Sequence, residues 1–267
     1  MEDRNNRLLA VLAVVVIGIV GLMYWGGFFS TPPPEPVVEL PPPEDPEPRP
    51  EGTPRYPMPE PEPATTEQIE LVSLPALDDS DAYFLLEVTA KFGPTIEALL
   101  VREAVIDKLV ATIDNLDRQQ LPEQVRPVGR LKDQFSGDLG RDDELILGIS
   151  SYYRYDALIA TVYYADLDAV YDMYRRFYPL FQKSYERLGY PNSYFNDRLV
   201  QIIDHLIATP RLTQSIALKR PNVLYEFADP NLEALSSGQK LMLRMGPDNA
   251  ATLKRMLEKF RAKLVGE

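Results

Sequence analysis

Residues 8–29 (LLAVLAVVVIGIVGLMYWGGFF) form a run of 22 positions without a charged side chain. At about 1.5 Å per residue, a helix of this length reaches about 33 Å, which is enough to cross the hydrocarbon layer of a bilayer. The run therefore predicts a transmembrane helix, with the lipid bilayer as the first partner of the chain. This feature constrains everything after it, because the remainder must then be attached to a membrane.

The basic residues beside this run set its predicted direction. Arg4 and Arg7 precede it, and the next basic residue is Arg49. Because an excess of Lys and Arg keeps a flank in the cytoplasm, we expect residues 1–7 to be cytoplasmic and the C-terminal bulk to lie across the membrane. A cleaved secretory signal is the alternative, but its apolar core is usually only about 7–15 residues long and ends in small side chains rather than bulky aromatic ones.

A proline-rich segment follows the apolar run. Fifteen of the 25 prolines lie within residues 32–63, many of them beside Glu or Asp. Proline removes backbone donors and restricts φ, so the composition predicts an extended, disordered linker over residues 30–66. The linker can be a simple spacer, or it can be a ligand for a proline-binding module through a P-x-x-P match such as residues 43–46.

Residues 67–267 are long enough for one domain with a sizeable core. The net charge of the whole chain is −12, and both the linker and the domain are acidic, which argues against nucleic acid as a partner. The chain has no cysteine and one histidine, so it has no disulfide and no thiolate metal ligand. We assign no metal site and no cofactor.

The spacing of apolar residues predicts a mainly α domain, with β structure only in one or two short hairpins. Helices are expected over residues 80–92, 94–120, 150–164, 166–189, 192–209, 231–245 and 247–264. Strand candidates are residues 132–136, 144–149, 216–219 and 223–227. The first two candidates flank a Gly/Asp-rich turn and therefore indicate a hairpin.

The predicted helix after Asp166 carries two adjoining apolar stripes, which are Tyr171, Tyr174, Tyr178, Phe181 and Tyr185, and Val170, Met173, Phe177 and Leu180. Together they cover an arc too wide for a surface helix, so we expect this helix near the middle of the domain. The rings can serve as core packing. They can also form a platform that stacks on sugars or grips a peptide, with Tyr152, Tyr190 and Tyr194 near helix ends as its best candidates.

The remaining binding candidates lie on this helix and the next. They are Arg175, Arg176 and Tyr178 on the first, and Asn196, Asp197, Asp204 and His205 on the second. A guanidinium fork can bind a carboxylate, and one histidine with two carboxylates can act as general acid and base. A lone histidine on an otherwise apolar-periodic helix is more often a hydrogen-bonded structural residue, and the helix dipole explains Asp197. The motifs H-E-x-x-H, G-x-S-x-G, the Walker loop and G-x-G-x-x-G are absent, and the S-x-x-K match at 237–240 has no S-D-N or K-T-G partner downstream. We therefore assign no catalytic residue.

Three segments carry a resemblance to a known family. They are VATIDNLDRQQLP at 110–122, YRRFYPLFQKSYERLGYPNSYFNDRLVQIIDHL at 174–206 and RPNVLYEFADPNLEALSSGQKLMLRMGPDNA at 220–250. The chain resembles an uncharacterised domain-of-unknown-function family of proteobacterial envelope proteins. The resemblance implies one N-terminal span in the bacterial inner membrane, a proline-rich spacer and one periplasmic domain. It implies no activity, cofactor or catalytic residue.

These features predict a membrane-tethered periplasmic domain that acts as a non-enzymatic envelope scaffold or interaction protein. Its partner would be another envelope protein or the cell wall. A glycan- or peptide-binding module at the cell wall is the alternative. A hydrolase that uses Asp197, Asp204 and His205 is a third hypothesis.

Overall fold

The computed structural model describes residues 53–58, 74–97, 100–127, 137–140, 144–164, 166–212, 214–221 and 225–266. Within these ranges, every helix is too short or too polar to cross a membrane. The predicted span at 8–29 lies outside the described residues, as do residues 30–52 and 59–66 of the predicted linker.

Nine α-helices lie in the described part of the chain. They are α1 (Asp81–Phe92), α2 (Pro94–Glu97), α3 (Val105–Asn115), α4 (Ile149–Tyr163), α5 (Leu167–Arg187), α6 (Phe195–Ile207), α7 (Pro230–Glu233), α8 (Ser237–Arg244) and α9 (Pro247–Val265). α9 packs against α4, α5 and α6, and α3 packs against α5 and α6. The last helix therefore closes one side of a bundle that α5 and α6 share with α3.

Four short strands form one antiparallel sheet in the order β1-β2-β3-β4. They are β1 (Asp138–Leu139), β2 (Leu145–Leu147), β3 (Ile216–Lys219) and β4 (Glu226–Phe227). The register places Ile146 of β2 opposite Asp138 of β1 and Ala217 of β3. Lys219 of β3 lies opposite Glu226 of β4, and the two side chains form an ion pair of 3.3 Å. A mainly helical domain with a small sheet confirms the predicted fold class.

The predicted hairpin has a different first strand from the one expected. β1 lies inside the segment predicted as the turn, and residues 132–136 lie outside the described residues. The second predicted strand ends at Leu147, because α4 begins at Ile149, earlier than the expected start at residue 150 or 151.

α5 is the central helix, as its two apolar stripes predict. Asp166 caps it, since its carboxylate accepts hydrogen bonds from the backbone N–H groups of Asp168 and Ala169 at 3.0 and 3.1 Å. Gly189 follows its C-terminus with φ of +105°, a conformation that favours glycine. Val170 and Phe177 are fully buried, so α5 contributes to the core along its length.

Two apolar clusters stabilise the part of the domain that the structure describes. The larger one contains a nearly or fully buried residue from each of α1, α3, α5, α6 and α9, namely Phe84, Ile106, Phe177, Phe195 and Phe260. The smaller one joins the sheet to α8 through Leu147, Ile216, Leu218, Phe227 and Leu243. Burial of these side chains is the main favourable term in the folding of such a domain.

Two predicted helices are interrupted. The region 94–120 divides into α2 and α3, since Ala104 adopts a left-handed conformation with φ of +51° just before α3. The carboxylate of Asp81 on α1 accepts hydrogen bonds from the N–H groups of Ala104 and Val105 at 2.6 and 2.9 Å, which fixes the start of α3. The region 231–245 divides into α7 and α8, where Ser236 caps α8 through the N–H of Gln239 at 3.2 Å.

Gly246 joins α8 to α9 at a position where a side chain would meet both strain and a clash. Its φ is +85°, and an added Cβ would lie 2.6 Å from the ring of Tyr152. Gly93 is a matched control, because its φ of +83° and ψ of 164° nearly equal the +85° and 162° of Gly246, but nothing lies within 4 Å of an added Cβ. We expect Gly93→Ala to lower the free energy of unfolding by about 1–3 kcal/mol through strain alone. Gly246→Ala should cost roughly 1–3 kcal/mol more through overpacking.

Urea denaturation of the two purified variants beside the wild type measures this difference. Equal losses at the two positions would show that the contact between residue 246 and the Tyr152 ring does not limit the packing.

Candidate functional site

A short piece of the predicted linker is docked on the domain. In residues 53–58, Pro54, Tyr56 and Met58 are half-buried, whereas Thr53, Arg55 and Pro57 are exposed. Tyr56 and Met58 pack against the larger apolar core. This alternation shows that the segment lies against the domain along one side. We call residues 53–58 the docked segment.

Asn196 and Asp197 in the first turn of α6 hold the docked segment by its main chain. The two carboxylate oxygens of Asp197 accept hydrogen bonds from the N–H groups of Arg55 at 2.9 Å and Tyr56 at 2.8 Å. The Asn196 amide donates to the carbonyl oxygen of Tyr56 at 2.8 Å. The chain bends at Arg55 and Tyr56, which lets two consecutive N–H groups converge on one carboxylate. We call Asn196 and Asp197 the bracket.

The bracket is positioned by the helices on either side of it. Asn196 is fully buried between two helices. Its amide oxygen accepts a hydrogen bond from the Tyr174 hydroxyl of α5 at 3.2 Å, and its amide nitrogen donates one to the Leu264 carbonyl of α9 at 3.4 Å. The Gln182 side chain of α5 accepts from the Phe195 N–H at 2.8 Å and donates to the Ser193 carbonyl at 2.8 Å. These bonds hold the first turn of α6, where a carboxylate is also favoured by the helix dipole.

A cleft of about 450 Å³ lies between the docked segment and α6. Thr53, Arg55 and Tyr56 line one side of it, and Tyr194, Asp197, Gln201 and Asp204 line the other. Its walls combine acidic, basic and amide side chains with aromatic rings. The cleft can thus accept a polar ligand with an exposed ring or main-chain groups.

A buried ionic network supports the floor of this cleft. Arg198 is 13% exposed, and its guanidinium contacts the carboxylate of Asp114 at 2.8 Å and that of Asp117 at 2.9 Å. The Tyr190 hydroxyl donates to Asp114 at 3.3 Å, and the Tyr190 ring stacks on Tyr185 at 4.7 Å. Burial disfavours the charged guanidinium, but hydrogen bonds to Asp117 and Asp114 outweigh it and raise the pKa of Arg198.

Two of the nine predicted binding residues, Arg176 and Tyr178, are used elsewhere on α5. The Arg176 guanidinium pairs with Glu87 of α1 at 3.2 Å and bonds the Tyr83 hydroxyl, so it joins α5 to α1. Arg175 is half-buried and forms no ion pair with the described part of the chain. The Tyr178 hydroxyl donates to Gln182 at 3.2 Å, and burial raises the pKa of Tyr178 to about 12.

The three residues of the hydrolase hypothesis make separate contacts. Asp197 binds the docked segment, and Asp204 pairs with Arg261 of α9 at 2.6 Å. His205 contacts the hydroxyl of Ser236, the cap of α8, at 2.7 Å and is not among the residues that line the cleft. In the described ranges, no three or more His, Asp and Glu side chains are grouped to hold a metal ion.

The structure therefore brings Tyr194, Asp197 and Asp204 to one cleft. Asn196 binds the docked segment, and Tyr190 bonds the Asp114 partner of Arg198. Sequence reasoning missed the docked segment and the Arg198 network. A signal for the segment was present, because Tyr56 is the only aromatic residue and Met58 the only methionine within residues 32–63. Residues 52–59 are also free of acidic side chains in an otherwise acidic linker.

A family model described as a protein of unknown function, DUF3014, matches residues 105–261. This match covers more than half of the chain, from the start of α3 into α9. The chain belongs to the DUF3014 family. No curated protein and no solved structure matches it. The predicted resemblance to a family of unknown function is confirmed, and the bracket and the Arg198 network both lie within the DUF3014 match, whereas the docked segment lies outside it.

Proposed function

We propose that this chain is a single-pass inner-membrane protein whose periplasmic DUF3014 domain acts as a non-enzymatic scaffold or interaction domain. Residues 8–29 form the anchor, residues 1–7 stay in the cytoplasm, and residues 30–66 connect the anchor to the domain. The uncharged run and the basic residues before it support this topology. A tether raises the concentration of the domain near a fixed envelope target, so weak contacts suffice for binding.

The observation that carries the proposal is the pair of hydrogen bonds from Arg55 and Tyr56 to Asp197. They attach the linker to α6 at a defined point. The carboxylate in the best candidate site therefore binds the chain's own tether. A carboxylate that binds main-chain N–H groups of the tether is typical of a positioning contact and not of a group that transfers protons in catalysis.

Exposed apolar side chains at the two ends of α4 support an interaction role. Ile149 and Tyr153, one turn apart at its start, are more than half exposed, and so are Tyr163 and Tyr164 at its end, with the exposed Asp156 between the two pairs. The rings of Tyr163 and Tyr164 contact each other edge to face at 5.1 Å. Neighbouring exposed apolar side chains of this kind are typical of surfaces that contact another macromolecule.

The absence of cysteine from the chain allows a direct test of the topology. We expect Glu258→Cys, at an exposed position of α9, to react with a membrane-impermeant maleimide in intact spheroplasts. Asn5→Cys should react only after permeabilisation, because its flank is predicted to be cytoplasmic. Labelling of Asn5→Cys but not Glu258→Cys in intact spheroplasts would reverse the topology and remove the proposed targets.

A glycan- or peptide-binding module at the cell wall is a second candidate, favoured by the polar cleft beside Tyr194. Purified wall material should then retain the protein in a pull-down assay. Tyr194→Ala should weaken retention, because it removes a ring that lines the cleft. Arg176→Ala is the control, because it removes a side chain that pairs with α1. Any loss of retention by this variant should match its loss of stability. Equal retention of wild type and Tyr194→Ala would exclude the cleft as the binding site.

A further inference from the structure

We propose that the docked segment is an exchangeable latch on the bracket, so that the tether of this protein has two lengths. The cellular role of the latch rests on the tethered topology proposed above, but its exchange is a property of the purified chain. The two proposals can therefore fail separately.

The latch lies at the periphery of the domain. Thr53, Arg55 and Pro57 face outward, and Tyr56 and Met58 are only partly buried against the core. The specific hydrogen bonds all go to main-chain groups at Arg55 and Tyr56. The segment can thus leave the domain without opening the apolar core, and ordering its six residues opposes the gain from these few contacts.

The polar groups of the bracket have partners in both the closed and the open state. When the segment leaves, the Asn196 side chain keeps its bonds to the Tyr174 hydroxyl and the Leu264 carbonyl. Asp197 is half-buried beside an open cleft, so water can reach its carboxylate, and it remains in the first turn of α6 where the dipole favours it. No buried polar group loses its last hydrogen-bond partner when the latch opens. Such a loss would make the opening costly.

The latch changes the distance that the tether can span. When it is closed, only residues 30–52 separate the predicted membrane span from the domain, and at about 3.1 Å per residue they extend to roughly 70 Å. When it is open, the whole predicted linker, residues 30–66, is available, and its extended length is about 115 Å. Release would extend by more than half the distance at which the domain can engage a target.

Exchange can be tested with the full-length chain in detergent micelles and a fluorescent peptide of residues 51–60 (EGTPRYPMPE). The peptide competes with the latch for the bracket, so its apparent affinity depends on the fraction of open chains. We expect weak binding to the wild type and roughly tenfold tighter binding to Tyr56→Ala, whose own latch is weakened while its bracket is intact. Adding Asp197→Ala to that variant should abolish binding.

Two matched controls make the result specific. Asp204→Ala removes another carboxylate of the cleft, one that pairs with Arg261, and should leave peptide binding unchanged. A peptide with Tyr56→Pro lacks one of the two N–H donors and should bind poorly. Failure of the Tyr56→Ala variant to bind the peptide, or binding that survives Asp197→Ala, would overturn the exchange.

The closed state has its own readout in amide hydrogen exchange. Arg55 and Tyr56 donate to Asp197, so their amides should exchange slowly, whereas those of Thr53 and Met58 should exchange fast. Asp197→Ala should remove this protection. Equal rates at all four amides in the wild type would show that the latch does not close, whatever the topology experiment finds.

Discussion

Replacing Arg198 with methionine is expected to lower the free energy of unfolding by about 3–5 kcal/mol. The substitution keeps most of the volume of the side chain and removes its charge. It would leave the carboxylate of Asp114, whose side chain is 4% exposed, without its closest cation. The remaining partners of Asp114 are longer, at 3.3 Å to the Tyr190 hydroxyl and 3.5 Å to Arg118.

A second substitution separates a charge effect from a packing effect. Asp114→Asn combined with Arg198→Met removes both charges, so it should recover a large part of the loss. Arg255→Met is the matched control, because Arg255 is exposed and contacts only its own helix; its cost should stay within about 0.5 kcal/mol. Chemical denaturation of the four proteins measures these values. A double variant no more stable than Arg198→Met would show that packing, not charge, dominates at this site.

The second large effect is expected at Phe177 of α5. Its side chain is fully buried, and its ring contacts Phe84 edge to face at 5.0 Å and Tyr83 at 5.9 Å. Phe177→Ala removes the ring and leaves a cavity between α5 and α1, which should cost about 3–5 kcal/mol. The loss should appear as a lower urea midpoint with an unchanged slope.

Leu86→Ala on α1 is the control for Phe177→Ala. Leu86 is 63% exposed, so its truncation should change stability by less than about 0.5 kcal/mol. If Phe177→Ala were as stable as Leu86→Ala, α5 would not be the centre of the core.

Features that depend on neighbouring residues could be predicted from the sequence. Asp166 caps α5, Gly189 follows its end, and β3 has the predicted bounds of residues 216–219. The two apolar stripes of α5 also indicated its central place. Each of these signals acts within one or two helical turns or along one strand, so the local sequence contains it in full.

Helix ends that depend on distant groups could not be predicted. α3 begins at Val105 because Asp81, 24 positions earlier, accepts its backbone N–H. The spacing of apolar residues continues through this point, so the sequence indicated one helical region over 94–120. A left-handed alanine at position 104 has no local signature, since its conformation is stabilised by the partner on α1.

The candidate site was predicted only in part for the same reason. Tyr194, Asp197 and Asp204 do share a cleft, but Arg176 turns toward α1 and His205 toward Ser236. Periodicity indicates which residues lie on one side of a helix, but not which neighbouring helix that side will meet. The Asp114 carboxylate, which neutralises Arg198, lies 84 positions away and gave no signal in the sequence.

By itself, the sequence determined the mainly helical class, the central place of α5 and the prediction of an anchor with a proline-rich tether, because these follow from local composition and spacing. Only the tertiary structure decided that residues 53–58 belong with the domain. The proline-rich run has no helical or strand period, and its one aromatic residue and one methionine mark the segment without indicating what it binds. Its partners, Asn196 and Asp197, are about 140 positions away, on a helix that packs against α9 and α5.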